Sequence, residues 1–129
     1  MNHLILIIDD SATIRKVLQT ILQREGYSGM SFPDGIAALH WLAEHPDVVP
    51  ALVFLDVYLP KMDGYEWARR IKALPRYKNT TIVCLSRCNG VIDKLKARLA
   101  GAVGSLEKPF ITQTILTTVQ TYLPTTVPR

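Results

Sequence analysis

Apolar positions fall along this chain in two alternating rhythms. Three short runs are almost unbroken, "LILII" (4–8), "ALVFL" (51–55) and "TIVCL" (81–85). Runs of this length, rich in branched aliphatic residues and bounded by Asp, Pro and Ser, read as strands buried on both faces. Elsewhere the apolar residues recur at helical spacing. Ile14, Val17, Leu18, Ile21 and Leu22 form one stripe, and Ile36, Leu39, Leu42 and Ala43 a second. Trp67, Ala68, Ile71 and Leu74 form a third, and Val91, Ile92, Leu95 and Leu99 a fourth. Ile115, Leu116, Val119, Tyr122 and Leu123 form the last. Ser11 and Thr112 are placed to cap the first and last helices, "PDG" (33–35) opens the second, and Gly26 and Gly101 act as stops. Pro46, Pro75 and Pro124 end the remaining stripes. Each stripe is expected to pack against a sheet.

Two weaker strand candidates, "YSGMS" (27–31) and "AVGSL" (102–106), complete five strand–helix repeats. That alternation predicts an α/β fold, an open five-stranded parallel sheet with five flanking helices on its two faces. The three apolar runs belong at its centre and the two Gly/Ser-containing strands at its edges. The order 2-1-3-4-5, that of flavodoxin-like doubly wound sheets, satisfies this placement. One domain over residues 1–123 is expected, with "PTTVPR" (124–129) as a tail or the start of a linker.

Composition narrows the classes further. A chain of 129 residues, 48% hydrophobic and 20% charged, is long enough to bury one core. The net charge of +4 comes from 15 basic and 11 acidic residues. The basic residues are scattered, the densest groups being Arg15-Lys16, Arg69-Arg70 and Lys94, Lys96 and Arg98. Without interleaved aromatics these read as solvated helix faces, so direct nucleic-acid binding is not expected. "LILII" is too short to span a membrane, and aspartates follow it where a signal peptide needs small residues. No membrane insertion and a cytoplasmic location are therefore expected. Cys84 and Cys88 lack CxxC spacing and a neighbouring histidine, and read as reduced thiols.

Chemistry enters at the strand ends. In a parallel sheet all strands end on one side, where ligands bind. The first strand ends in Asp9-Asp10, the third in Asp56, the fourth in Ser86, and the fifth close to Lys108-Pro109. Singly, each has an ordinary explanation. Asp10 could cap a helix, Ser86 could sit in a turn, Lys108 could be a surface lysine, and Asp63-Gly64 could open a helix. Their joint arrival at one sheet edge has no such explanation. Clustered carboxylates repel and need a cation, and an all-oxygen set with open positions suits Mg²⁺. A carboxylate beside Mg²⁺, a lysine and a hydroxyl can attack phosphorus, and Asp56 on the middle strand is the candidate nucleophile.

These residues resemble a response-regulator receiver domain of bacterial two-component signalling. "IIDDS" (7–11) is similar to the family's acidic pair, and "FLDVYLPKMDGYE" (54–66) to its D-x-x-x-P-x-x-D-G pattern. "VCLS" (83–86) and "LEKPF" (106–110) are similar to its hydroxyl and lysine-proline motifs, so the resemblance runs from Ile5 to about Leu123. It implies that Asp56 accepts a phosphoryl group from a histidine kinase or phosphotransfer protein and then switches binding to a downstream protein target. Asp9, Asp10, Asp56 and the backbone carbonyl of Tyr58 would hold Mg²⁺, and Ser86 and Lys108 would contact the phosphoryl oxygens. A cis Lys108–Pro109 peptide, slow self-dephosphorylation and a signalling rather than enzymatic role are also implied. Two positions depart from the pattern. Ser105 stands where the family usually carries a switching aromatic, and Arg87 where it carries a small residue. Without an aromatic at 105, the response is expected in the loop from Ser86 to Gly90 and the helix that follows. The departures motivate an alternative, a degenerate receiver that binds partners without phosphorylation. A flavodoxin-like cofactor protein would need a Ser/Thr/Gly phosphate loop after the first strand, where two aspartates stand.

Overall fold

In the computed structural model, residues 3–88 and 90–123 are described. The tail read at 124–129 lies outside the described residues. Strands β1 (Leu4–Ile8), β2 (Ser28–Phe32), β3 (Leu52–Asp56), β4 (Thr81–Ser86) and β5 (Gly104–Glu107) form one parallel sheet in the order β2-β1-β3-β4-β5. Helices α1 (Ala12–Arg24), α2 (Gly35–Glu44), α3 (Gly64–Lys72), α4 (Val91–Leu99) and α5 (Thr112–Tyr122) alternate with the strands. A short 3₁₀ turn at Pro75–Tyr77 precedes β4.

Two-residue alternation along the central strands feeds two cores. Ile5, Ile7, Leu52, Phe54, Val83 and Leu85 face α1 and α5 through Leu18, Leu22, Ile115 and Val119. Leu6, Ile8, Val53, Leu55, Ile82 and Cys84 face the other way, toward Leu42, Trp67, Ala68, Ile71 and Ala97. Every residue of β3 is buried, as a strand covered on both faces must be. The edge strands β2 and β5 are only partly covered.

Most helix ends follow the expected signals. Ser11, Asp34 and Asp63 cap α1, α2 and α3 by accepting the backbone N–H three residues on. Gly26 and Gly101, at φ 85° and 101°, close α1 and α4. The amides of Gly26 and Tyr27 return to Gln23 and Leu22, and those of Gly101 and Ala102 return to Arg98 and Ala97. That paired return is the Schellman closure. Thr112 is not a cap. Ile111 occupies that position, its carbonyl accepting from Thr114 and Ile115, so Thr112 is the first helical residue. Leu74 is exposed, because α3 stops at Lys72 and Pro75 starts the 3₁₀ turn. Val17, Ala43 and Tyr122 also lie outside the buried faces of their helices.

Helix α4 contradicts its stripe outright. Val91, Ile92, Leu95 and Leu99 are 84%, 68%, 55% and 75% exposed, and Ala97 alone in the helix is buried. At about 100° per residue, those four positions cluster on the side opposite Ala97. The apolar period of α4 is helical but its apolar side faces solvent, because small alanines at 97 and 100 let the opposite side approach the sheet.

Candidate functional site

The carboxyl edge of the sheet gathers the predicted polar groups. Asp9, fully buried, follows β1 with its backbone N–H donating to the Phe32 carbonyl at 3.1 Å. Its Oδ1 accepts from the Ser11 N–H at 2.9 Å, and its Oδ2 accepts from Lys108 Nζ at 2.6 Å. Asp56 ends β3, almost as buried, with Oδ1 accepting from the Tyr58 N–H at 3.1 Å. Its Oδ2 lies 3.5 Å from Lys108 Nζ, so one lysine bridges both buried aspartates. Asp10 stands exposed beside them. One carboxylate oxygen from each of Asp9, Asp10 and Asp56 falls within 4.8 Å of the others.

Neighbouring backbone holds these groups in place. The Lys108 N–H donates to the Ser86 carbonyl at 2.8 Å, tying the chain after β5 to the end of β4. The Lys108–Pro109 peptide is cis, as the resemblance implies. Beyond Asp56 the chain turns back so that the Gly64 N–H donates to the Val57 carbonyl at 3.0 Å. A Cβ on Gly64 would stand 2.4 Å from the Asp56 carbonyl oxygen and 2.8 Å from Val57 Cα. Only glycine lets α3 begin this close to the strand end. Gly64→Ala is expected to destabilise the protein by about 2 kcal/mol, since the clash is with backbone. Urea denaturation reads that loss, and an unchanged midpoint would show that the loop yields freely.

Burial pushes the Asp56 carboxyl above the ordinary value of 3.8, and the charge of Asp9 raises it further. The Tyr58 N–H and Lys108 pull the other way, and Asp10 adds a smaller upward push. A carboxyl that holds its proton more tightly when folded favours the fold below the unfolded value, and that contribution is lost as pH rises through the folded value. Ionised Asp56 therefore costs stability at neutral pH in the absence of a cation. Three carboxylates and a single bridging lysine leave the cluster negative. Its oxygen-only donors, with Asp10 open to water, fit the ligand chemistry of Mg²⁺.

A cleft of about 650 Å³ opens over the cluster, lined by Asp9, Asp10, Asp56, Lys108, Tyr58 and Arg87. Ser11, Ile14 and Pro109 complete its walls. The remaining predicted residues are placed differently. Ser86 is buried at the end of β4, but its hydroxyl donates to the Cys88 carbonyl at 2.7 Å and accepts from the Cys88 N–H at 3.0 Å. It is engaged with its own loop rather than lining the cleft. Ser105 lies within β5 opposite Cys84, away from the strand end. Tyr58 meets Asp56 through its backbone N–H, and its ring is exposed at the cleft.

Two contributors escape a reading of strand ends. Besides capping α1, Ser11 orients Asp9 through its amide. Arg15 reads as part of a solvated basic pair, yet its Nη1 donates to the Asp9 carbonyl at 2.7 Å. The available signal was electrostatic. A cation near a helix N-terminus opposes the macrodipole, and α1 has no acidic residue in its first turn, so Arg15 needs a partner elsewhere.

The sequence profile of the response regulator receiver domain matches residues 5–120. The chain belongs to that family. This receiver domain is 34% identical to Protein PilG of Pseudomonas aeruginosa over 124 residues, 96% of this chain and 90% of the relative. It is also 34% identical to sporulation initiation phosphotransferase F of Bacillus subtilis over 126 residues, 96% of each chain. The solved chemotaxis response regulator CheY4 of Vibrio cholerae superposes with a TM-score of 0.87 at 32% identity, covering 95% of this chain and 100% of that one. Other relatives are longer. The receiver domain spans 49% of the transcriptional regulatory protein YxdJ of Bacillus subtilis.

Proposed function

We propose that Asp56 accepts a phosphoryl group from the phosphohistidine of a histidine kinase or phosphotransfer protein. The phosphorylated domain, spanning residues 1–123, then changes its binding to a downstream protein target. The observation that supports this most directly is Lys108, 2.6 Å from Asp9 and 3.5 Å from Asp56 at the floor of an open acidic cleft. One Asp56 oxygen forms the bond to phosphorus while the phosphorus–nitrogen bond breaks, its electron pair returning to the imidazole. Hydrolysis later breaks that oxygen–phosphorus bond, restoring the carboxylate and releasing inorganic phosphate. The domain is thus a signalling phosphoacceptor with slow self-dephosphorylation.

Asp9, Asp10, Asp56 and the Tyr58 carbonyl would hold Mg²⁺, which when bound supplies positive charge against the phosphoryl oxygens. Lys108 has its ammonium beside the nucleophile and can turn one N–H to an incoming phosphoryl oxygen. Ser86 can exchange its contact with the Cys88 carbonyl for a stronger, charge-assisted one to the phosphoryl group. With serine at 105, that movement is read out through the loop after β4. Direct nucleic-acid binding is not part of this function. Action in the cytoplasm is part of this reading. Among the described residues, no helix is long and apolar enough to cross a membrane.

Incubation with acetyl phosphate and Mg²⁺ followed by intact mass measurement tests the proposal. Absence of labelling by any donor would favour a degenerate, phosphorylation-independent receiver. Asp10→Asn separates electrostatics from folding. It is expected to weaken Mg²⁺ binding about tenfold while raising the melting temperature of the metal-free protein. The rise should appear above the pH at which Asp56 ionises and fade as pH falls through that raised value. A lower metal-free melting temperature for Asp10→Asn would contradict the repulsion account.

A further inference from the structure

Lys108 is committed to Asp9 and Asp56, but a second cation lines the same cleft. Arg87 follows directly on Ser86, is exposed, and forms part of the cleft wall with Asp56 and Tyr58. Among the described residues it makes no ion pair, although three carboxylates share its cleft. We propose that Arg87 is a specificity-determining cation of this site, favouring compact phosphodonors of double negative charge and weakening divalent-cation binding in doing so. The inference rests on the phosphoacceptor reading of Asp56.

The charge count carries the argument. Asp9, Asp10 and Asp56 contribute three negative charges, and Lys108 and Arg87 two positive ones, so the cleft is singly negative. A divalent cation makes it singly positive when Arg87 is present and neutral when Arg87 is removed. A dianionic donor is drawn to the first and not to the second. A unit charge on the wall of a cleft open to solvent changes the encounter of a dianion by roughly fivefold at low salt. The same positive charge opposes the entry of Mg²⁺, so removing it should move cation and anion binding in opposite directions. Arginine suits the task for a second reason. Its planar fork of N–H donors pairs with two phosphoryl oxygens at once, where lysine offers a point charge.

A purely steric lid makes the contrary prediction, since truncating a lid opens the cleft and speeds labelling. The experiment uses acetyl phosphate, from which the Asp56 oxygen takes the phosphoryl group as the phosphorus–oxygen bond to acetate breaks and acetate leaves. Wild type, Arg87→Ala and Arg87→Lys are labelled at saturating Mg²⁺ over a range of ionic strength, and Mg²⁺ affinity is measured separately by calorimetry without donor. Arg87→Ala should label roughly fivefold more slowly at low salt, with the gap nearly closed at about 0.5 M salt. Its Mg²⁺ affinity should rise about threefold. Arg87→Lys should keep most of both properties. Faster labelling of Arg87→Ala, or equal labelling with unchanged Mg²⁺ affinity, would overturn the proposal. A wild-type protein that takes no label from any donor would instead overturn the phosphoacceptor reading, before any Arg87 variant is compared.

Discussion

Asp56→Asn protein incubated with acetyl phosphate and Mg²⁺ is expected to keep its unmodified mass, while the wild-type chain gains one phosphoryl group. The asymmetry follows from geometry. Among the three clustered carboxylates, Asp9 already accepts from Ser11 and from Lys108 at 2.6 Å, and both of its oxygens are engaged. Asp10 is exposed and has no comparable support. Asp56 alone combines burial, a single backbone hydrogen bond at Oδ1, and an Oδ2 whose lysine stands at 3.5 Å. Its raised pKa also makes it a better nucleophile than an ordinary carboxylate once ionised. The same substitution removes an ionisation that costs stability, so metal-free Asp56→Asn should melt above wild type at pH 7. That difference should shrink as pH falls through the raised value. Persistent labelling of Asp56→Asn would place the phosphoryl group elsewhere.

Lys108→Ala is expected to lower the stability of the metal-free protein by about 3 kcal/mol, the usual penalty for removing one partner of a buried charge pair. The side chains of Lys108, Asp9 and Asp56 are 12%, 0% and 7% exposed, so the contact between the ammonium and the two carboxylates is largely shielded from bulk water. Asp9 would retain only the Ser11 N–H against a full negative charge. Urea denaturation gives the loss directly. Added Mg²⁺ should recover part of it, because a divalent cation neutralises the same oxygens. A loss below about 1 kcal/mol would mean that the pair behaves like a screened surface contact.

Much of this arrangement was legible because it depends on local chemistry. Leu4–Ile8 could be read as a strand without structural help, and the runs that lacked polar alternation marked the three central strands, a placement that the known order 2-1-3-4-5 satisfies. Asp9, Asp56 and Lys108 were legible for the same reason. Strand ends fix position to within a residue, and a parallel sheet brings all such ends to one edge. What stayed hidden was direction. The stripe of α4 has a correct period but gives no sign of which face meets the sheet, because alanine at 97 counts for little in an apolar pattern. Ser86 was placed correctly on its strand, yet nothing along the chain says that its hydroxyl turns to Cys88. Thr112 has the right side chain for a cap one residue too late. Long-range contacts such as Arg15 to Asp9 leave only the faint trace of an unfavourable charge in the first turn.

The thin attachment of α4 sets its local stability. Docking through Ala97 and the C-cap Ala100 removes far less apolar surface than α1 removes through Leu18, Ile21 and Leu22. Burying a leucine is worth about 2 kcal/mol, and an alanine methyl well under half of that. Opening α4 from the sheet therefore requires less free energy than unfolding the whole domain, and its amides should exchange with solvent through that local route. Native-state hydrogen exchange at increasing urea should show α4 reaching the open state while β1, β3 and α1 remain protected. The helix nearest the Ser86 loop is then a separately melting unit, able to change its population without disturbing the strands that carry Asp9 and Asp56.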